Sequence, residues 1–463
     1  MRLAHASIVV GFGFLMALAA HPARPAAPTD VAPLFLEASI PLGNVRGRID
    51  HLAIDLDRQR LFVAELGNDS VGVVDLKAGK VLQTVAGFDE PQGVGYVSST
   101  NELYVANGGD GSIRRYNAAT LAPLGPMPLG SDADNVRVDV AGQTVVVGHS
   151  NGALAVIDAA RHASTRHITL RAHPESFQLA GDGRMAYVNL PDAHEIAVVD
   201  LAAGQVLSSW STGTLRSNYP MALDPSGKTL WVGFRSPSRL ASFDTKNGAL
   251  VQNVPTCGDT DDLFVDTRRH RVYVICGSGE IDVYDVATDT ARPIAHFPTR
   301  SGARTGLFVP DLDRLYVAAR ATLTDPAAIL VYRVERSVIF VCEHGAARSV
   351  IAAAWFNKLA ADKHLAVRAY ARAVAPQEQL SDSTIAGLKR DGLGIPADRP
   401  SGLTKAEADS ATAVVAFYPL PPGMTPARPE STYDVPAPVD GYDRSRDAIL
   451  VHVKALLDNF EAH

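Results

Sequence analysis

From about Leu34 to Val334 the chain repeats one unit seven times. An alternating apolar strand is followed by a turn, a second strand of Leu/Tyr/Phe-Val-Ala/Gly type and a third strand ending near Asp. LFVAELGNDSVGVVD (Leu61–Asp75), LYVANGGDGSIRRYN (Leu103–Asn117) and VYVICGSGEIDVYD (Val272–Asp285) show the pattern. Equivalent apolar positions are Leu52, Val94, Val136, Phe177, Met221, Leu263 and Leu307, a period of about 42 residues. Strands this short must bury their faces against neighbouring units, so the repeat predicts propeller blades. The last repeat shows three strands after Gly306, and one strand, Phe35–Leu42, precedes the first repeat. That strand is expected to pair with Ala327–Val334 and close the ring, because an open stack would leave two edges unpaired. The first expectation is therefore an all-β propeller of seven blades over residues 34–335.

Propeller sites gather where innermost strands begin, around the channel. The positions two before each aligned apolar residue are Asp50, Gln92, Asp134, Glu175, Tyr219, Asp261 and Thr305. Second strands end on the same face, adding Glu65, Asn107, His149, Asn189, Arg235 and Cys276, with His51, His173, Asp262 and Arg304 beside them. The mouth is thus expected to be polar and mostly acidic. Asp50, His51, Asp134, His149, Glu175, Asp261 and Arg304 are its candidate binding residues. Two readings stay open: turn-capping hydrogen bonds, or a site for a cation, an amine or a peptide. No close His/Cys ligand spacing marks a metal site, and no cofactor motif stands out.

The chain holds 3 cysteines. Cys257 precedes the first strand of the sixth blade and Cys276 ends its second, so the hairpin brings them to one end. A disulfide between them is expected, with two free buried thiols as the alternative. Cys342 is left over.

Arg2, an apolar run from Ile8 to Ala20 and Ala/Pro-rich sequence to Pro28 read as a secretory signal peptide over residues 1–27. An uncleaved anchor is the other reading. Cleavage would leave no stable membrane span and put the protein in the periplasm or outside the cell. A net charge of −7 without a basic run argues against nucleic acid as a partner.

Ser337–Asn357, SVIFVCEHGAARSVIAAAWFN, departs from the propeller pattern. Val338–Val341 read as a buried strand, and Arg348 and Ser349 open an apolar helix. Between them lies Cys-x5-Arg-Ser. Free N–H groups at a helix N-terminus favour an anion there. Glu343, His344, Gly345, Ala346 and Ala347 would curl round a tetrahedral oxyanion, with the Cys342 sulfur beneath it as nucleophile. Arg348 can grip two oxygens at once, and with the helix terminus it favours a thiolate. Ser349 could donate to that sulfur.

VIFVCEHGAARS resembles the low-molecular-weight protein tyrosine phosphatases, a family that includes thioredoxin-coupled arsenate reductases. The resemblance extends over residues 336–463, taking in the helix Leu380–Gly392, the segment Leu403–Asp409, the strand Ala411–Tyr418 and YDVPAP at Tyr433–Pro438. It implies a three-layer α/β domain with a four-stranded parallel sheet, and hydrolysis of a phosphotyrosine-like ester through a cysteinyl phosphate. No cofactor is implied. LYVAN likewise resembles YVTN-type propellers of exported bacterial proteins.

The tail also departs from the family. His344, Gly345 and Ala347 stand where the family has a Gly-Asn pair and a second Cys. Ala437 replaces the Asp that serves as general acid before the final Pro, leaving Asp434 or Asp440 as substitutes. The further cysteines of arsenate reductases are missing from the tail, which argues against that reaction. Expected partners are a phosphorylated protein or small phosphomonoester, with a separate ligand or protein at the propeller mouth. The alternative function is a binding protein whose tail is a degenerate anion-binding module.

Overall fold

A computed structural model describes residues 33–461, apart from positions 140, 142, 287–289, 364, 366, 397–398, 427–429 and 439–440. The signal-peptide reading and Asp440 fall outside the described residues. No described helix is long and apolar enough to cross a membrane.

Seven antiparallel sheets of four strands form the blades. The aligned residues Leu52, Val94, Val136, Phe177, Met221, Leu263 and Leu307 all sit on the innermost strand of a blade. Their apolar neighbours pack between adjacent sheets. Leu61, Val63 and Val74 of the first blade, for example, pack with Tyr316, Ile329 and Val331 of the last. The ring closes as the repeat count required. Leu34–Pro41 pairs antiparallel with Ala328–Val334, from Leu34 opposite Val334 to Pro41 opposite Ala328.

The chain passes from Val334 to the strand Arg336–Cys342 through Glu335 alone. Four parallel strands follow in the order Val367–Ala373, Arg336–Cys342, Ala413–Ala416, Glu430–Thr432. Helices α1 (Arg348–Asp362), α2 (Asp382–Arg390), α3 (Lys405–Ser410) and α4 (Tyr442–Glu461) complete the domain. Side chains alternate across the central strand. Val338, Phe340 and Cys342 join the core with α1 and α4, while Ile339 and Val341 pack with Leu403 and Ala408 on the other face. Phe340 stacks on Phe417 at 6.0 Å and meets Phe356 edge-on at 5.8 Å. On α4, Ile449, Val453, Leu457 and Phe460, three or four residues apart, are buried. The strand Val367–Ala373 carried no strong sequence signal and is a missed element. Its buried Val and Ala residues alternate with half-buried Arg368, Tyr370 and Arg372.

Glu335 holds the junction. Its carboxylate, 2% exposed, accepts from Arg271 Nη2 at 2.7 Å and from the Tyr370 hydroxyl at 3.2 Å. Its carbonyl accepts from Arg269 Nε at 2.5 Å. Arg269 and Arg271 stand at the end of the sixth blade away from Asp261, which lies at the start of the strand Thr260–Asp266. The second domain therefore leaves the propeller at the end opposite the polar mouth. The strand Arg336–Cys342 then carries the sulfur about 20 Å further along its own axis.

Candidate anion site and propeller mouth

Cys342 ends the central strand where the chain later returns on the strand's other side, the position at which open α/β sheets bind ligands. The sulfur is buried, 4% exposed, and lies 3.1 Å from Ser349 Oγ. The following segment fixes the loop. Val374 N donates to the Cys342 carbonyl at 3.1 Å, Ala375 N to Glu343 at 2.8 Å, Gln377 N to His344 at 3.3 Å and Ser381 N to Ala346 at 3.1 Å. A trans peptide sets its N–H opposite its carbonyl. Pulling these four carbonyls toward residues 374–381 therefore turns the N–H groups of Glu343, His344, Gly345 and Ala347 the other way. From Glu343 to Arg348 no backbone N–H has an acceptor among the described residues.

Local sequence explains this shape. Gly345 has φ +68°, and a Cβ there would come within 2.8 Å of Ala373 Cβ and 3.3 Å of Pro400 Cβ. Only glycine combines that backbone with that contact. Helix α1 begins at Arg348 with Ala347 before it, so no side chain caps it. Its first turn is nevertheless buried, with Ser349, Val350 and Ile351 at 0% exposure. A buried, uncapped helix start leaves donors that something else must satisfy.

Arg348 is half-buried and makes no ion pair with a described residue. The Glu343 and His344 side chains face each other at the rim, 3.7 Å apart, and His344 Nδ1 lies 3.2 Å from the Ala375 carbonyl. Asp434 is exposed and has no side-chain hydrogen bond to a described residue.

At the propeller mouth, Asp50, His51, Asp134, Glu175 and Asp261 line one small cavity with Arg48, Asn135, Ser176 and Tyr219. Part of the expected acidic excess is offset by arginines. Arg235 pairs with Asp261 at 2.5 Å and lies 3.6 Å over the Tyr219 ring. Arg48 reaches Asp50 at 2.9 Å, and Arg304 pairs with Asp259 at 3.1 Å. Arg48 was missed from sequence, although it stands two residues before Asp50.

His149 and Arg304 are not among the lining residues. His149 is 2% exposed and packs edge-on against His167, ring centres 4.8 Å apart. Burial and the neighbouring His167 and His173 push it down to about 4, so it is neutral. His51 behaves oppositely: burial disfavours its charge, but Asp262 and Asp50 outweigh that and push it up to about 9. Burial, reinforced by Asp134, pushes Glu175 up to about 7. Burial pushes Asp261 up to about 7 against the pull of Arg235.

Cys257 and Cys276 form a disulfide with Cα atoms 5.8 Å apart, and Cys342 is a free buried cysteine. Among the described residues, the one cluster with three metal-type ligand atoms in mutual reach is Cys257, Glu280 and Asp282. The disulfide already occupies its sulfur, and Asp282 accepts from Cys257 N, Thr256 and Tyr284.

No curated protein matches the chain. Its structure is similar to that of Kuenenia stuttgartiensis hydrazine synthase, with a TM-score of 0.53 and 18% identity over 62% of this chain and 97% of that one. At that identity the likeness is one of fold. Residues 337–419 match the family model described as low molecular weight phosphotyrosine protein phosphatase. The chain thus joins a seven-bladed propeller to an α/β domain, of which residues 337–419 are similar to the low-molecular-weight phosphotyrosine phosphatases.

Proposed function

We propose that the C-terminal domain, residues 336–463, hydrolyses a phosphomonoester through Cys342, in a protein exported behind the signal peptide 1–27 and exposed to oxidising conditions. The observation that carries this is the run of backbone N–H groups from Glu343 to Arg348 that have no acceptor among the described residues, directly following a buried cysteine. Such a nest suits a doubly charged phosphate, and Arg348 adds a planar fork of donors that no carboxylate among the described residues neutralises.

In the proposed reaction the Cys342 thiolate attacks phosphorus. An S–P bond forms as the ester P–O bond breaks, and the departing oxygen takes a proton. Water then attacks phosphorus, and the S–P bond breaks to release inorganic phosphate and the thiolate. Ser349, donating at 3.1 Å, stabilises that sulfur as nucleophile and again as leaving group. With Ala437 in the acid's place, the departing oxygen is protonated by Asp434 or by water. Substrates that leave as weak bases, aryl phosphates foremost, are therefore favoured. Export is supported by the Cys257–Cys276 disulfide, which persists in oxidising compartments.

A second reading, a binding protein with an inactive anion pocket, is favoured by Ala437 alone. Turnover of p-nitrophenyl phosphate by the reduced full chain decides between them. Hydrolysis abolished by Cys342→Ser supports the enzyme. Phosphate binding without turnover supports the pocket only.

A further inference from the structure

We propose that the propeller mouth binds an organic cation rich in N–H donors, a primary ammonium or guanidinium group, between Asp50, Asn135, Glu175 and Asp261. Several buried acceptors there lack donors. Asn135 is 3% exposed and lines the cavity, yet its Oδ1 accepts nothing. Asp50 is 1% exposed, and its Oδ2 also lacks a hydrogen bond, since Arg48 Nη2 approaches at 2.9 Å without the alignment for one. Asp261 Oδ2 has no hydrogen bond either, with Arg304 Nε at 3.8 Å and Arg48 Nη2 at 3.9 Å stopping short. Glu175 has no side-chain donor among the described residues. A buried polar atom left unpaired is costly, and the buried side-chain atoms of this lining that lack a hydrogen bond are all acceptors.

The missing partner must therefore donate, and the surrounding carboxylates select a positive one. A bare metal ion fits poorly, because no three acid or histidine ligand atoms of the mouth lie within 4.8 Å of one another. An ammonium or guanidinium group projects several N–H bonds in different directions and can span acceptors set apart. The rest of the ring is already built for cations: Arg48 and Arg235 occupy two of its edges. The site faces away from the Glu335 junction, so it is separate from the Cys342 loop. Its acids would also repel a phosphate.

Glu175 and Asp261, both near 7, would release protons when a cation enters. The charged groups facing them are Asp50, Asp134, Arg48, Arg235, Arg304, His51 and His173. The affinity should therefore rise with pH through about 7.

The test is titration calorimetry on the full chain with agmatine and with an arginine-containing tripeptide, using tetramethylammonium as a cation without N–H donors. Saturable binding of agmatine, none of tetramethylammonium, and a roughly tenfold or greater loss in Glu175→Gln at an unchanged melting temperature are expected. Binding of the tripeptide but not of agmatine would identify a peptide side chain as the source. Should Glu175→Gln melt early, Asp261→Asn read by the same titration takes its place. Failure of both cations to saturate, an equal response to tetramethylammonium, or full affinity in a folded variant would overturn the proposal. None of these outcomes depends on Cys342 being active.

Discussion

Ser349 Oγ, on the first turn of helix α1, lies 3.1 Å from the sulfur of Cys342, which ends the strand leading into the anion loop. The contact links strand and helix through one buried pair. In the proposed reaction it stabilises the same charge twice. Ser349→Ala should lower kcat by roughly 10- to 100-fold, the worth of one hydrogen bond to a charged group. A burst of leaving group followed by slow turnover would place the loss in hydrolysis of the cysteinyl phosphate.

The segment Tyr433–Pro438 offers a gain-of-function experiment. Ala437→Asp should raise turnover of phenyl phosphate, whose leaving group is a strong base, by up to roughly 10²-fold. It should change p-nitrophenyl phosphate much less. Rates across a series of aryl phosphates would show this as a flatter dependence on leaving-group basicity. An identical slope in both proteins would rule out a missing acid as the limit.

Glu335 is predicted to be the residue on which domain docking depends. Glu335→Ala would leave the Arg271 guanidinium and the Tyr370 hydroxyl without their acceptor beneath the second domain. Breaking a buried pair in this way costs about 3–5 kcal/mol. Urea unfolding should show the loss as an earlier transition, while Glu37→Ala, at a partly exposed network with Arg314 and Arg333, should cost less.

The mouth also predicts the pH dependence of stability. Asp261 and Glu175 are raised from 3.8 and 4.5 to about 7, and His51 and His173 from 6.5 to about 9. Each binds its proton more tightly when folded. Their contribution is full below the unfolded values and is lost as pH rises through the folded ones. Melting temperature should therefore fall in two stages, between about 4 and 7 and between about 6.5 and 9. His149, lowered to about 4, acts in the opposite sense below about 6.5. His51→Gln should remove much of the upper stage, and a melting curve unchanged by it would contradict the assignment.

How legible these features were in the sequence depended on how local their causes are. Strand alternation is set by the backbone pleat, so Leu52 through Leu307 marked seven inner strands and Phe35–Leu42 the closing one. The Cys342 loop was equally readable, because its strand, spacing and helix are contiguous. The strand Val367–Ala373 was missed because its buried face is mostly small alanines, which announce a strand weakly but let α1 pack closely. Arg48 and Glu335 act through partners far away in sequence, Asp261 and Arg271 among them. His149 shares a mouth-end position with its equivalents, yet it packs against His167 of the outer strand and stays out of the cavity.

The most direct test of the account is to quench the reduced full chain during turnover of p-nitrophenyl phosphate and map its modified residue by mass spectrometry. One phosphoryl group on Cys342 is predicted, accumulating in Ser349→Ala and absent from Cys342→Ser. Undiminished turnover by Cys342→Ser, or a phosphoryl group carried on another residue, would contradict it.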